Sequence, residues 1–354
     1  MSGSPKHRNN NLMAAHYCPI CRGDGSLIRT LPAGTLRAGL ERYFNPPVPD
    51  DVVLDEYTLW RCKTCLLEFV SPLQPGSDEF YNWVTSRPGY YPEDRWEWQL
   101  AIQVMRCGRQ SSECPRLLEI GCGSGNFLDK AKFQAGVVAV GLDTARGAVL
   151  ECLRKGLEVY PLPVERYSED QIQRGARFDY IVSFQCLEHV RNPKEFFSAM
   201  VSLLAPHGEI FISTPYCPIA IEHMNFYPLN NPPHHLTRWN VTAFRELASA
   251  FGLRARFYMP PPQRAIVRSM VAAHVRFHGY RSTTTKRSLI LTSLRHPFLV
   301  LGDFACQLSR ARVDVEHIWG DRNLTSSGEN PSLASTTKKK TASDEVLVRF
   351  SNRF

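Results

Sequence analysis

Short apolar runs alternate with longer amphipathic stretches through the middle of the chain, from about residue 113 to residue 260. Apolar runs bounded by turn residues predict buried strands, and the amphipathic stretches between them predict helices. The predicted strands span 116–120, 137–142, 158–162, 180–184, 209–214 and 254–258. The predicted helices span 126–135, 145–155, 193–204 and 241–251. This alternation is typical of an α/β fold with a mostly parallel sheet, in which ligand groups gather at one edge.

The segment 117–128, LLEIGCGSGNFL, joins a buried strand to a helix through a glycine-rich turn. A turn of this kind before a helix N-terminus suits a nucleotide cofactor. A dinucleotide fingerprint would need a glycine where Asn126 stands. Glu119, two residues before the first glycine, would repel a pyrophosphate and attract a cation. The turn therefore favours S-adenosylmethionine, which carries an ammonium and a sulfonium.

Asp143 ends the second apolar run, where a carboxylate can accept hydrogen bonds from two ribose hydroxyls. Through the glycine turn and this acid, the chain resembles the class I methyltransferase superfamily over residues 116–259. The resemblance implies a Rossmann-like seven-stranded methyltransferase sheet and a cofactor held by Glu119, Gly121, Gly123, Gly125 and Asp143.

Two more segments are placed by the expected sheet. The segment 178–190, FDYIVSFQCLEHV, is similar to the family's fourth strand, whose end flanks the methyl group, so Gln185 joins the expected cofactor site. Val164 and Glu165 follow the third strand and are expected to border the adenine. The methyltransferase core is predicted over 113–260.

Two C-x-x-C pairs near the N-terminus predict a zinc ribbon over residues 1–77. Four thiolates delivered as two pairs match a tetrahedral structural zinc site, with zinc–sulfur bonds of about 2.3 Å. The predicted ligands are Cys18, Cys21, Cys62 and Cys65. Their separation requires the excursion 29–56 to be looped out, and the Pro/Gly break at 71–77 is the predicted boundary.

An aromatic-rich stretch over 78–112 is predicted to cover the cofactor, with a continuous helix only from about Glu93. In methyltransferases that resemble this chain, a helix before the first strand does this. The residues that could touch the cofactor there are Tyr90, Tyr91 and Arg95.

Histidines at the predicted strand ends are the candidate general bases for an acceptor hydroxyl, because an unperturbed imidazole has a pKa near 6.5. His189 follows the fourth strand, and His223, His234 and His235 follow the fifth. The segment around His235 resembles the H-E-H-L-S-Y-F segment of zinc-ribbon sugar C-methyltransferases, whose final histidine takes part in catalysis. Here Pro233 and His234 replace the first histidine and the glutamate, so the resemblance favours O-methylation by His235 over carbon methylation.

The net charge of the 354-residue chain is +8, and the charge is unevenly distributed. The segment 254–312 carries eleven Lys or Arg and a single acid, Asp303, which implies a phosphate-bearing or acidic partner. The overlapping segment 261–322 is predicted to be a basic helical extension with Arg264, Arg268 and Arg276 on one side. We expect 323–344 to be a disordered insertion and 345–354 to supply a last, antiparallel strand.

The chain has neither a secretory signal nor a long enough apolar run to cross a membrane, so we expect a cytoplasmic protein that could touch a membrane surface. The predicted function is S-adenosylmethionine-dependent methylation of a small hydroxylated metabolite, such as a nucleotide- or lipid-linked sugar. An RNA methyltransferase, for which ribosomal RNA would be the acceptor, and a non-catalytic docking protein are the alternatives. The sequence leaves the acceptor and the oligomeric state open.

Overall fold

Two β-sheets organise the part of the chain that the structure describes. The computed structural model describes residues 16–44, 47–87, 90–107, 114–217, 228–258 and 345–352. Between 270 and 304 it describes residues 270, 273–274, 277, 286–302 and 304.

The N-terminal part contains three strands and three helices. In chain order they are β1 Gly25–Leu31, α1 Ala33–Tyr43, β2 Tyr57–Cys62, β3 Glu68–Ser71, α2 Asp78–Thr85 and α3 Trp96–Cys107.

The remaining described elements alternate between strands and helices up to the last strand. They are β4 Arg116–Ile120, α4 Asn126–Ala135, β5 Val138–Leu142, α5 Arg146–Arg154, β6 Glu158–Tyr160, α6 Val164–Gln173, β7 Phe178–Phe184, α7 Pro193–Ser202, β8 Leu204–Pro215, β9 Thr237–Arg238, α8 Val241–Ala250, β10 Arg254–Tyr258, α9 Lys286–Arg295 and β11 Glu345–Ser351. Short 3-10 turns occupy Leu187–His189 and Pro228–Asn230.

The larger sheet has seven strands in the order β10-β11-β8-β7-β4-β5-β6. The strands from β8 to β6 pair in parallel, whereas β11 pairs antiparallel with both β8 and β10. The predicted α/β fold with a seven-stranded sheet is confirmed. The five parallel strands, β8, β7, β4, β5 and β6, all end at one edge of the sheet. The ends of β4, β5 and β7 therefore bring the candidate site residues together.

The core lies on both faces of this sheet, as a parallel sheet covered by helices requires. Successive residues of a strand point to opposite faces. Leu118 and Ile181 accordingly pack in one hydrophobic cluster with Phe197 of α7 and Phe244 of α8. Val182, which follows Ile181 in β7 and points to the opposite face, packs in a second hydrophobic cluster. That cluster also contains Leu117, Trp98 of α3 and Phe127 of α4.

The smaller sheet is antiparallel, in the order β1-β2-β3-β9. Its fourth strand, β9, lies far along the chain, and Glu68 and Phe69 of β3 pair with Arg238 and Thr237. The N-terminal strands are therefore continuous with the loop that precedes α8, which no local sequence pattern indicates.

Three helices were missed by the sequence prediction. Helix α1 lies inside the excursion 29–56, which was expected to be looped out, and it buries Leu36 and Leu40. Helix α2 has a capping signal, since the Ser77 side chain accepts a hydrogen bond from the Phe80 amide. Helix α6 is mostly polar, and few apolar residues mark its buried face, which consists of Val164, Tyr167 and Ser168.

Helix α3 was predicted, and it begins at Trp96, close to the predicted start near Glu93. Among the described residues, none of the helices has the length and hydropathy that a bilayer span requires. Some of the predictions concern residues outside the described part of the chain, namely His223, Arg264, Arg268, Arg276 and the segment 323–344.

Candidate functional site

The glycine turn connects β4 to α4 and is fixed to the end of β5. The amides of Gly121 and Cys122 donate to the Leu142 carbonyl at 2.8 and 3.0 Å. Gly123 has a φ of +52° and Gly125 a φ of +75°, a left-handed conformation that favours glycine. This geometry leaves the helix N-terminus open toward the sheet edge, as phosphate- and nucleotide-binding turns do.

Tyr91 lies against this turn. A Cβ atom added to Gly123 would come within 2.6 Å of the Tyr91 ring. Burial raises the pKa of Tyr91, and the nearby Asp143 raises it further. Of the three residues predicted to cover the cofactor, Tyr91 is the one in contact with the glycine turn. Arg95 instead pairs with Glu345 of β11 at 2.5 Å.

Asp143 stands directly opposite the turn, at the end of β5. Its Oδ2 accepts a hydrogen bond from the Gly123 amide and its Oδ1 accepts one from the Ala145 amide, both at 2.8 Å. Burial raises the pKa of the Asp143 carboxyl, and these two hydrogen bonds offset part of that effect. The predicted ribose ligand therefore also holds the turn in shape.

Glu119 is the buried acid of this site, with only 2% of its surface exposed. Its Oε2 has no hydrogen-bond partner among the described residues. Burial raises its pKa well above the ordinary value, and the neighbouring Cys152 and Asp143 add to the rise. A carboxylate in this position is stabilised by a cation placed beside it.

Gln185 and Val164 lie at the same sheet edge, after β7 and β6. Gln185 has a φ of +53°, and its amide donates to the Ser213 carbonyl at 2.8 Å. A left-handed conformation is uncommon for a side chain of this size and often marks a functional position. Val164 begins α6 with its side chain buried in the core. Contact of either residue with the cofactor stays a prediction.

Two buried histidines, His234 and His235, and the half-buried His189 form a cluster beyond the end of β7. The ring centroids are 4.5 Å apart for His189 and His234, 4.8 Å for His189 and His235, and 4.6 Å for His234 and His235. His189 belongs to the 3-10 turn after β7, and the other two lie in the loop before β9. The sequence predicted all three as candidate bases, and the structure brings them together.

Each of these histidines uses Nδ1 to bind an oxygen atom. His189 Nδ1 is 2.5 Å from the His234 carbonyl, and His234 Nδ1 is 2.8 Å from the Leu229 carbonyl. His235 Nδ1 is 2.9 Å from Asn230 Oδ1. These contacts orient all three rings.

Burial keeps the three imidazoles uncharged. It lowers the pKa of His189 to about 4 and that of His234 to about 3. It also lowers the pKa of His235 well below the usual range, with the other two rings adding to the effect. A general base works best when its pKa lies near the working pH. The role of His235 as the base stays a prediction, and the low pKa argues against it.

The four predicted cysteine ligands meet in the ribbon, with their sulfur atoms all within 4.8 Å of one another. Cys18 Sγ is 3.6 Å from Cys65 Sγ, and Cys21 Sγ is 3.4 Å from Cys62 Sγ. Sulfur atoms of a disulfide would be about 2.05 Å apart, and those of a tetrahedral zinc site about 3.8 Å apart. The spacing fits zinc and excludes disulfides in this structure.

The two cysteine knuckles have the same backbone conformation. The residue after each pair, Arg22 or Leu66, has a φ of +62°. Backbone amides point at the sulfur atoms, as from Thr64 to Cys62 Sγ at 3.3 Å. A hydrogen bond from Cys65 lowers the pKa of the Cys18 thiol to about 6. This strained, amide-lined arrangement is suited to thiolates around a cation.

Arg238 connects the ribbon to the histidine loop. One of its guanidinium nitrogens is 3.4 Å from Glu68 Oε2 of β3. The other donates to the Asn230 carbonyl at 2.5 Å and to Asn231 Oδ1 at 2.8 Å. Since Asn230 also binds His235, the ribbon helps to position the histidine cluster. Sequence reasoning missed this link, and the signal for it is an arginine three residues after a histidine pair.

Residues 95–256 match the sequence profile of a family described as a methyltransferase domain. The ubiquinone biosynthesis O-methyltransferase of Bordetella avium is 33% identical over 105 residues, which cover 28% of this chain and 42% of that protein. The corresponding enzyme of Nitrosococcus oceani is 34% identical, with coverage of 28% and 43%. The chain thus spans less than half the length of these curated relatives.

Among solved structures, the plantazolicin methyltransferase BpumL in complex with SAH aligns with a TM-score of 0.42 and 13% identity, over 77% of this chain and 88% of that one. A SAM-dependent methyltransferase from Archaeoglobus fulgidus aligns with a TM-score of 0.40 and 14% identity, over 72% of this chain and 94% of that one.

Proposed function

We propose that the protein transfers a methyl group from S-adenosylmethionine to a hydroxyl group of a small acceptor; the match of residues 95–256 to the profile of a methyltransferase domain supports this proposal. The observation that carries this proposal is the pairing of a left-handed glycine turn with two acids, Asp143 opposite it and Glu119 beneath it. S-adenosylmethionine supplies the methyl group, and the residues of this chain supply binding and orientation.

The cofactor contacts follow from the chemistry of these side chains. Asp143 is a carboxylate with backbone partners on both oxygens, and it would accept the ribose hydroxyls by exchanging or sharing these hydrogen bonds. Glu119 would be ionised by a cation that approaches the turn. Tyr91 would close the turn from above, where its ring already lies against Gly123.

The acceptor proposal rests on the sheet edge and on the curated relatives. Those relatives are named as O-methyltransferases of ubiquinone biosynthesis. The histidine cluster and Gln185 lie at the end of β7, the edge where the family's methyl group is expected. We therefore favour a small hydroxylated acceptor, such as a nucleotide- or lipid-linked sugar. The RNA alternative depends on the basic segment 254–312, most of which lies outside the described residues.

We also propose that Cys18, Cys21, Cys62 and Cys65 hold a structural zinc ion. Four protein ligands leave no position open for substrate or water, so this zinc would act on stability and not on the reaction. The spacing of the sulfur atoms and the two matching knuckles support this proposal.

Two measurements on the purified full-length chain test the proposed function. Calorimetric titration should show binding of S-adenosylmethionine and of S-adenosylhomocysteine, and no binding of NAD. Tritium from the labelled methyl group should then enter the small-molecule or lipid fraction of a cell extract. Binding of NAD with no binding of S-adenosylmethionine would overturn the cofactor assignment. Label found only in RNA would overturn the acceptor assignment.

A further inference from the structure

The histidine cluster carries more than a general base requires. Each imidazole lies within hydrogen-bond distance of an oxygen acceptor through Nδ1, so Nδ1 donates a proton there and Nε2 is the nitrogen left to bind a cation. The partners are two backbone carbonyls and the Asn230 side-chain oxygen. The lone pair of every ring is therefore on Nε2. Histidines that bind a metal show this arrangement, in which the second nitrogen donates to a carbonyl or carboxylate and fixes the tautomer.

The ring nitrogens also converge. Each of the three histidines offers one nitrogen, and these atoms lie within 4.8 Å of one another. Three imidazole nitrogens around a tetrahedral zinc ion at bond lengths of 2.0–2.1 Å would be about 3.4 Å apart. Small side-chain rotations close that difference. His234 and His235 are only 5% and 7% exposed, so bulk water does not compete strongly for the lone pairs.

Glu188 provides an independent second observation. It precedes His189 in the 3-10 turn, and 1% of its surface is exposed. Neither of its carboxylate oxygens has a hydrogen-bond partner among the described residues. Glu188 Oε1 is 3.9 Å from His235 Nε2, on the side where the lone pair of that ring lies. A buried carboxyl without partners is costly, and a cation between it and the imidazoles would satisfy it.

From this geometry we propose that His189, His234 and His235 bind a divalent transition-metal ion of the zinc class, with Glu188, whose Oε1 is 3.9 Å from His235 Nε2, as the partner of a water molecule bound to that ion. Three neutral imidazoles and a carboxylate are donors that suit zinc and its first-row neighbours. The site differs from the ribbon cysteines in its ligands and in its position at the end of β7. The proposal concerns binding alone and does not depend on methyl transfer.

Tyr90 is the one group that competes for this site in the described structure. Its hydroxyl is 3.1 Å from His234 Nε2 and donates to that lone pair. A bound ion would displace the hydroxyl, which needs only a side-chain rotation. Replacement of Tyr90 by phenylalanine should therefore leave ion binding intact or strengthen it, whereas loss of a ligand should weaken it.

The test is the metal content and the cobalt spectrum of the full-length chain, loaded with Zn²⁺ or Co²⁺ alone and dialysed. The wild type should hold two ions per chain, one at the cysteines and one at the histidines. Its second equivalent of Co²⁺ should add absorption bands without any further thiolate-to-cobalt charge transfer. His235→Ala should lose the second ion, with affinity lowered by more than about 100-fold, the upper end for loss of a mere outer-shell partner. Asn230→Ala removes only such a partner, so it should lower affinity by about 10- to 100-fold.

His207→Ala, which changes an exposed histidine, is the matched control and should keep both ions. One sulfur-bound ion per chain in the wild type would overturn the proposal, and this readout needs no variant to fold. Equal loss of the second ion in His207→Ala and His235→Ala would overturn it too, because it would indicate surface binding. Failure of this test would leave S-adenosylmethionine binding unaffected, so the proposed function is judged separately.

Discussion

Replacing Asp143 by asparagine should weaken cofactor binding while leaving the fold intact. The Asp143 carboxylate accepts two backbone hydrogen bonds, from Gly123 and Ala145, each at 2.8 Å. An asparagine side chain keeps one oxygen acceptor and presents an NH₂ group to the other amide. The variant therefore loses its charge and at least one charge-assisted hydrogen bond, both in the turn and toward the ribose.

The expected loss of cofactor affinity follows from the number of hydrogen bonds that the variant loses. A hydrogen bond to a charged group contributes about 1.5–3 kcal/mol. Losing one acceptor for a ribose hydroxyl should therefore raise the Kd for S-adenosylhomocysteine by about 10- to 150-fold, since about 1.4 kcal/mol is a factor of ten. Distortion of the turn would add to this effect, because Gly123 would no longer be held by a carboxylate.

Calorimetric titration of the variant with S-adenosylhomocysteine measures the change, and a thermal melt checks the fold. Asp179→Asn is the matched control, because Asp179 Oδ2 also accepts a backbone hydrogen bond, from the Arg116 amide at 2.8 Å, but at the opposite end of the strands. The control should bind the cofactor as the wild type does. If Asp143→Asn changes the Kd by less than about threefold while the protein stays folded, Asp143 does not hold the ribose.

Three further changes probe the turn, the ribbon and the buried acid. Gly123→Ala should reduce cofactor binding and stability more than Gly156→Ala does. Both glycines have a positive φ, but only at Gly123 would the new Cβ lie 2.6 Å from an aromatic ring. Thermal melts and cofactor titrations of the two variants test this, and equal effects would contradict it. Cys62→Ser should lose the ribbon zinc and lower the unfolding temperature, whereas Cys107→Ser, at an exposed free cysteine, should do neither; metal analysis decides. Because burial raises the pKa of Glu119, the protonated acid is favoured in the folded state, so apo-protein stability should fall as pH rises through that pKa. Glu119→Gln should remove this slope in pH-dependent melts, yet bind S-adenosylmethionine roughly tenfold more weakly; a steeper slope would refute the reasoning.

The elements around the cofactor turn could be predicted because their signals are local. Helix α4 begins at Asn126 and ends at Ala135 as predicted, since glycines in the left-handed conformation stand at both of its ends. Strand β4 is apolar and buried apart from Arg116 at its start and the buried acid Glu119, and β7 is buried along nearly its whole length. Patterns of this kind depend on residues a few positions apart, so the sequence alone contains them.

Contacts between distant segments were not predictable in the same way. Strand β9 has two residues, too few to show any periodicity, and it exists because β3 pairs with it. The three histidines were each chosen for lying after a strand, but nothing in the sequence sets the distance between His189 and the His234–His235 pair. Their low pKa values follow from burial, which depends on the packing of the loop. The sequence therefore predicted an ordinary base where the structure has neutral rings.

The ribbon and the methyltransferase core are structurally interdependent, and Glu68 and Arg238 show why. Both side chains are buried, at 4% and 6% exposure, and they approach to 3.4 Å where β3 meets β9. Removing one partner from a buried ion pair costs about 3–5 kcal/mol, because the other charge is left without compensation. Arg238 also binds Asn230 and Asn231, so the ribbon sheet and the histidine loop share one set of contacts. The ribbon sheet thus supports the candidate site, and loss of the zinc ion proposed for its cysteines should alter the positions of the histidines.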